Sequence, residues 1–243
     1  MPDESTFQHP RFARMYERIS AESERRGGAQ HRERVLAELS GRVIEVGAGN
    51  GLNFRHYPHT VTEVIAVEPE DRLRALADKA AESAAVPIRV TNGHAEALPA
   101  EDGSCDAAVA SLVLCSVPNL AGTLAELRRV LRPGGDLRFY EHVRSANPWT
   151  GRVQDVITPV WSRAAGGCRL NRDTASALQA TGFEIDELDR FTYVQNERSP
   201  FPRCPQAPSE PGHRRTLGKR TRKELHLASP SSTSVHSGVR ARG

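Results

Sequence analysis

"VIEVGAGNGLN", residues 43–53, sets three glycines into five positions directly behind an apolar run. An apolar run of this length reads as a buried strand, and the glycines fall where its first turn toward a helix would lie. Outward from this point, short apolar runs alternate with helical patterns. "RVIEVG", "VTEVIAVE", "VPIRVT", "CDAAVASLVL", "DLRFYEHV" and "FEIDELDRF" read as strands. "DRLRALADKAAESA", "NLAGTLAELRRVLRPGG" and "RDTASALQATG" read as helices, the last two ending in glycines. Residues 43–47, 64–67 and 106–114 are almost continuous in Val, Ile, Ala and Leu, as expected of strands covered on both faces. The expected class is α/β: a doubly wound, mostly parallel sheet with helices on both faces.

In such a sheet the ligand sits outside the carboxyl ends of the strands, closest to the first crossover turn. Gly47, Gly49 and Gly51 occupy that turn, where a missing Cβ permits positive φ and close contact with a ligand. A dinucleotide fingerprint would need glycine at position 52, which is Leu52, so a dehydrogenase is disfavoured. A second acid supports a ribose-bearing ligand. Glu68 ends the next apolar strand, 21 residues after Gly47, and can accept hydrogen bonds from two ribose hydroxyls.

With Glu45 in front, the loop reads E-x-G-x-G-x-G and resembles the first motif of the class I S-adenosylmethionine-dependent methyltransferases. The resemblance implies S-adenosylmethionine as cofactor. Glu45, Gly47, Gly49 and Gly51 would hold its amino-acid part and ribose, and Glu68 with the adjoining Pro69 its sugar. "GHAEALP", residues 93–99, matches the family's third cofactor segment and puts Ala95 and Glu96 by the adenine, although many members have Asp where this chain has His94. Ser111 and Leu112 would border the cofactor after the fourth strand. "LRRVLRPGGDLRFYEHV" is typical of the type 11 group. "GNGLNFRHYP", "SLVLCSVPN" and "GGCRLNRDT" are similar to bacterial relatives of the thiol-methylating proteins of animals. The implied acceptor is a small molecule, with a thiol as one candidate. The alternative is a cofactor-binding protein without turnover. Nucleic-acid amino-methylating relatives carry Asn/Asp-Pro-Pro-aromatic after the fourth strand; Ser111 to Leu114 stand there instead, so no nucleic-acid partner is expected.

A thiol has a pKa of about 8.5, so a neighbouring base or cation would raise its thiolate fraction. His142 in "FYEHV" is the first candidate, the alternative being that His142 and Glu141 orient each other and their loop. Tyr16, on a helix that would lid the site, either faces the acceptor or is a core aromatic. Cys168 and Arg172 are candidates for the acceptor pocket, Cys115 for a reactive or a merely packed thiol, and Asp173 or Thr174 for a helix cap.

The four cysteines show no C-x-x-C spacing and the N-terminus no signal-peptide pattern, which points to a reducing cytoplasm and against a metal. The longest apolar run, residues 107–117, is well below the roughly 20 residues of a membrane span, and the hydrophobic anchor of the animal relatives is not expected. Residues 203–243 hold nine Lys or Arg against two acids, leaving 24 basic and 28 acidic residues in the rest of the chain. The expected organisation is a helical lid over 1–40, the methyltransferase domain over 41–195 and a basic, disordered tail over 196–243. The tail is either solvated or attracted to nucleic acid or anionic membrane. No seventh strand is legible in it, as though the ending were divergent or frame-shifted.

Overall fold

A computed structural model describes residues 7–192 and 233–241. Helix α1 (Pro10–Ser23) runs through a π-helical turn (Glu24–Gly28) into α2 (Ala29–Leu36). Gly27 and Gly28 sit inside the turn, where Gly27 takes φ +110° and bends the helical path without opening a loop. There follow β1 (Gly41–Val46), β2 (Val61–Val67), α3 (Asp71–Ala81), β3 (Ile88–Thr91) and β4 (Cys105–Ser111). The chain continues through α4 (Leu120–Val130), β5 (Leu131–His142), α5 (Pro148–Ala164), α6 (Thr174–Ala180), β6 (Phe183–Thr192) and β7 (Thr233–Ala241).

The sheet order is β3-β2-β1-β4-β5-β7-β6, with β1 to β5 parallel and β7 antiparallel to both neighbours. Alternation along β1 feeds two cores. Ile44 and Val46 pack with Leu124 and Leu127 of α4 and Leu178 of α6. Val43 packs with Val35 and Leu36 of α2 and Ala77 of α3. Both faces of the central strands are thereby removed from water, which is why they read as continuous apolar runs.

Three expectations are corrected. The seventh strand exists: Thr233–Ala241 inserts between β5 and β6, registering Asp136 with Arg240 on one side and Phe183 with Ala241 on the other. A strand paired on both edges satisfies its backbone whatever its composition, so "TSVHSGVRA" needs little apolar character to occupy the slot. The edge of β6 is covered accordingly, and the idea of a missing strand is withdrawn together with that of a wholly disordered tail. The rest of the expected tail, residues 193–232 and 242–243, lies outside the described residues. Second, α4 stops at Val130, ahead of the glycines of "RPGG"; Leu131 takes an extended ψ of 133° and opens β5. Third, a 17-residue helix, α5, occupies a region with no expected element. Among the described residues no helix is long and apolar enough to cross a membrane.

Candidate functional site

The cleft lies at the carboxyl ends of β1, β2 and β4, with a volume of about 250 Å³. Gly47 and Gly49 form its floor with φ of +62° and +59°. A Cβ on Gly47 would stand 2.4 Å from Val113 Cγ2, and one on Gly49 3.3 Å from the Tyr16 ring. The glycines are therefore required by the backbone angle and by the neighbouring wall at once. Gly47→Ala should weaken S-adenosylhomocysteine binding at least tenfold, measured by calorimetry, because both the left-handed angle (about 1–3 kcal/mol) and the Val113 wall must give.

Glu68, 5% exposed, ends β2 and turns its carboxylate into the cleft. One oxygen accepts from Gly49 N at 2.8 Å, the other from Glu70 N at 3.0 Å. Each oxygen keeps a lone pair for a ligand hydroxyl. Pro69, Ala95, Glu96, Ser111 and Leu112 also line the cleft. His94, at the position where Asp is common, stacks on Phe7 with ring centroids 5.2 Å apart. The N-terminal segment borders the cleft: Phe7, His9, Phe12 and Tyr16 close one side. It is tied down by Gln8 Nε2 donating to Pro69 O (2.8 Å) and by an Arg72–Glu17 ion pair (2.7 Å).

Glu45 and Gly51 do not reach the cleft. Glu45, 1% exposed, accepts from Asn53 Nδ2 (2.8 Å) and from the Tyr57 hydroxyl (2.7 Å) beneath the glycine loop. Asn53 Nδ2 also donates to Ser111 Oγ (3.0 Å), so one amide couples the ends of β1 and β4. Gly51 packs on Ala80 and Phe54, where a Cβ would clash at 2.7–2.9 Å. Beside this network is a group that motif reading passes over. Arg32 of α2, 6% exposed, donates to Glu24 Oε1 and Asn53 Oδ1, both at 2.8 Å, and to Tyr16. Nothing in "AQHRERVL" marks one arginine as buried.

Burial pushes the carboxyls of Glu45 and Glu68 up to about 7. Around Glu68 the N–H donors of Glu70 and Gly49 and the Arg74 charge oppose this, while Glu70 adds to it. A carboxyl whose folded value exceeds its unfolded one favours the folded state while protonated. Its contribution is present below the unfolded value, about 4.3, and is lost as pH rises through 7. The unfolding free energy of the cofactor-free protein should therefore decline between about pH 4.5 and 7, by up to roughly 3 kcal/mol per group. Urea melts across that range should show a shallower decline in Glu68→Gln; an identical slope would remove Glu68 as the cause.

The far wall is the segment after β4. Leu112 takes φ +61°, a strained angle for its type, and Leu112, Val113, Ser116 and Val117 line the cleft. Two side chains hold the segment from behind. Glu141, fully buried, accepts from the backbone N–H of Val113 (2.8 Å), Leu114 (2.8 Å) and Cys115 (3.0 Å). Arg172 donates to the carbonyls of Leu114 and Val117. Arg172 thus stands behind the wall, and Asp173 caps α6 through Ser176 N at 3.0 Å.

His142 and Cys168 also lie behind the wall. His142 Nδ1 is 3.8 Å from Cys115 Sγ and 3.6 Å from Cys168 Sγ, and the sulfurs are 3.7 Å apart. The thiol pair splits: the contact with Cys168 and burial push Cys115 up to about 12, while the contact with Cys115 pulls Cys168 below its ordinary value. The wall residues next to this cluster in sequence are Ser116 and Gly167. Gly167, with φ +88°, approaches the Ser116 carbonyl so closely that a Cβ would stand 2.9 Å from it.

Comparison with known proteins agrees with this geometry. Residues 44–139 match the family described as "Methyltransferase domain". The chain is 35% identical over 181 residues to thiol S-methyltransferase TMT1B of Homo sapiens, a stretch covering 69% of this chain and 67% of that protein. It is 35% identical over 153 residues to human thiol S-methyltransferase TMT1A, covering 61% and 62% respectively. The matched stretches thus span about two thirds of these relatives' length. Among solved structures, a SAM-dependent methyltransferase of Thermotoga maritima superposes with a TM-score of 0.64 at 22% identity, over 96% of this chain and 97% of that one. The YcgJ protein of Bacillus subtilis gives 0.61 at 16% identity, over 88% and 97%. By the family match and the relatives at 35% identity, the chain belongs to the class I S-adenosylmethionine-dependent methyltransferases.

Proposed function

We propose that this methyltransferase transfers the methyl group of S-adenosylmethionine to a small thiol. The residues present fit that cofactor: a glycine floor without Cβ atoms, a carboxylate with free lone pairs for two hydroxyls, and Ala95 and Glu96 at the next turn. When bound, the cofactor supplies an electrophilic methyl group on a positively charged sulfur. Glu68 would hold the ribose, Gly47 and Gly49 would let the backbone approach it, and Phe7, Phe12 and Tyr16 would exclude water from above.

One observation carries the acceptor class. Apart from Glu68, Glu70 and the His94–Glu96 turn, the cleft is walled by Phe12, Leu112, Val113, Val117, Gly166 and Gly167, with His9, Tyr16 and Ser116 the polar members. Among the described residues no side-chain carboxylate or amide stands in that part of the wall, so an alkyl ammonium, with an ordinary pKa of about 10.4, finds no anionic partner there, whereas a thiol, at about 8.5, gives its proton to solvent and enters as thiolate. A thiolate suits such a wall, because loss of hydration strengthens its attack on a cationic centre. The Tyr16 phenol is raised by burial and receives Arg32, which makes it a positioning group rather than a base at neutral pH. Positioning the two reactants supplies several kcal/mol, up to about 7–11 in the best-oriented systems. The names of the human relatives agree with this acceptor class.

Formation of S-adenosylhomocysteine over a panel of small alkyl and aryl thiols, phenols and amines tests the proposal. Turnover should appear with thiols. Binding of the cofactor with no product from any acceptor would favour a cofactor-binding protein without turnover.

A further inference from the structure

We propose that Cys115, Cys168 and His142 form a binding site for one zinc ion. The three side chains come from separate places: the segment after β4, the turn after α5 and the end of β5. The fold nonetheless brings their ligand atoms within 4.8 Å of one another.

The spacing is specific. In tetrahedral zinc coordination, Zn–S of about 2.3 Å and Zn–N of about 2.0–2.1 Å place two sulfurs about 3.8 Å apart and a sulfur and a nitrogen about 3.6 Å apart. The corresponding distances here are 3.7 Å between the sulfurs and 3.8 and 3.6 Å from each sulfur to His142 Nδ1. All three edges of one face of the coordination tetrahedron are in place.

The donor set suits the ion. Two thiolates balance the charge of a divalent cation, with the thiol protons released to solvent, and imidazole with thiolate selects zinc over harder cations. Cys115 and Cys168 are 1% and 6% exposed, and half-buried His142 leaves a way in. The surroundings fix the ligands as an outer shell should. Glu141 and Arg172 anchor the Cys115 segment, and Arg169 N donates to Cys115 O at 2.9 Å. Three protein ligands leave one tetrahedral position open, the pattern of reactive rather than closed zinc sites. The ion would pin the Ser116 wall to the Gly166–Gly167 turn, both of which line the cleft. The site stands independently of the thiol acceptor proposed above.

The test uses the full chain, reduced, stripped with a chelator and titrated with Co²⁺ and then Zn²⁺. One Co²⁺ per chain should bind with a thiolate-to-metal charge-transfer band that Zn²⁺ abolishes. The band should be lost in Cys115→Ser and in Cys168→Ser and kept in Cys105→Ser. Should a cysteine variant fold poorly, protection in the unmutated protein decides. Zn²⁺ should slow alkylation of Cys115 and Cys168, located by peptide mass mapping, at least tenfold, and leave Cys105 unchanged. Absence of the band at stoichiometric metal, its persistence in Cys115→Ser, or unprotected Cys115 and Cys168 would overturn the site.

Discussion

Glu141→Ala should lower the unfolding free energy by roughly 3–5 kcal/mol and abolish measurable cofactor binding in whatever protein remains folded. The carboxylate is fully buried and takes three consecutive backbone N–H groups of the cleft wall. Removing it strands three donors away from water, each costing about 1–3 kcal/mol, with partial relief where a water enters. The wall itself is under tension, because Leu112 is held at φ +61° just before the clamped residues. Without the clamp, Leu112 should relax and carry Val113 toward Gly47, closing the cofactor floor. Glu141→Gln should be milder, about 1–2 kcal/mol. Its carbonyl can still take the Val113 and Leu114 donors, while its NH₂ group opposes Cys115 N–H. Denaturant melts with S-adenosylhomocysteine titrations check both variants, and a loss below 1 kcal/mol in the alanine variant would show that the wall does not depend on Glu141.

Glu68→Ala should reduce affinity for S-adenosylhomocysteine about 10²- to 10³-fold, with a smaller loss of stability than Glu141→Ala, because two backbone donors rather than three lose their acceptor and both face a cleft that water can enter. Two hydrogen bonds from hydroxyls to a buried carboxylate are worth about 1.5–3 kcal/mol each, part of which is returned by water in the emptied pocket. Folding should gain little or nothing from keeping the carboxyl ionised, since burial has already moved its pKa to about 7. Binding should therefore fall further than stability in this variant, whereas both collapse in Glu141→Ala. Glu68→Gln, which keeps one acceptor oxygen, should lie between, at about 10- to 30-fold. Unchanged affinity in the alanine variant would place the ribose elsewhere.

The core of this fold is legible in its sequence for a physical reason. Strands buried on both faces must be apolar throughout, so 43–46, 64–67 and 106–111 stand out in any reading. The glycine spacing is legible because backbone angle and close contact leave no alternative residue. Helix α5 was hidden by an inverted pattern: it buries Thr150, Gly151, Gln154 and Thr158 and exposes Trp149, Val156 and Val160 by 73–77%. Gln154 explains the inversion, accepting from Ser145 N (2.7 Å) and donating to Val143 O (3.2 Å), so polar groups do the inward packing. Strand β7 was hidden because pairing on both edges relieves its side chains of the task of holding it. His142, Cys168 and Arg172 were selected by motif as acceptor residues, and the fold sets them behind the wall. Sequence proximity to a cleft residue does not say on which side of a loop a side chain falls. Arg32 and the Cys115–His142–Cys168 cluster depend on contacts across 21 to 53 residues of chain, for which no local pattern exists.

A largely apolar wall free of carboxylates should select a thiolate over an amine or a phenol. This selection is tested most directly by offering a small thiol, a phenol and an amine together, at equal concentration, with S-adenosylmethionine carrying a trideuterated methyl group, and identifying the labelled product by mass spectrometry. The labelled thioether should be the dominant product. A labelled amine or aryl ether formed in preference to it would show that the wall does not select sulfur.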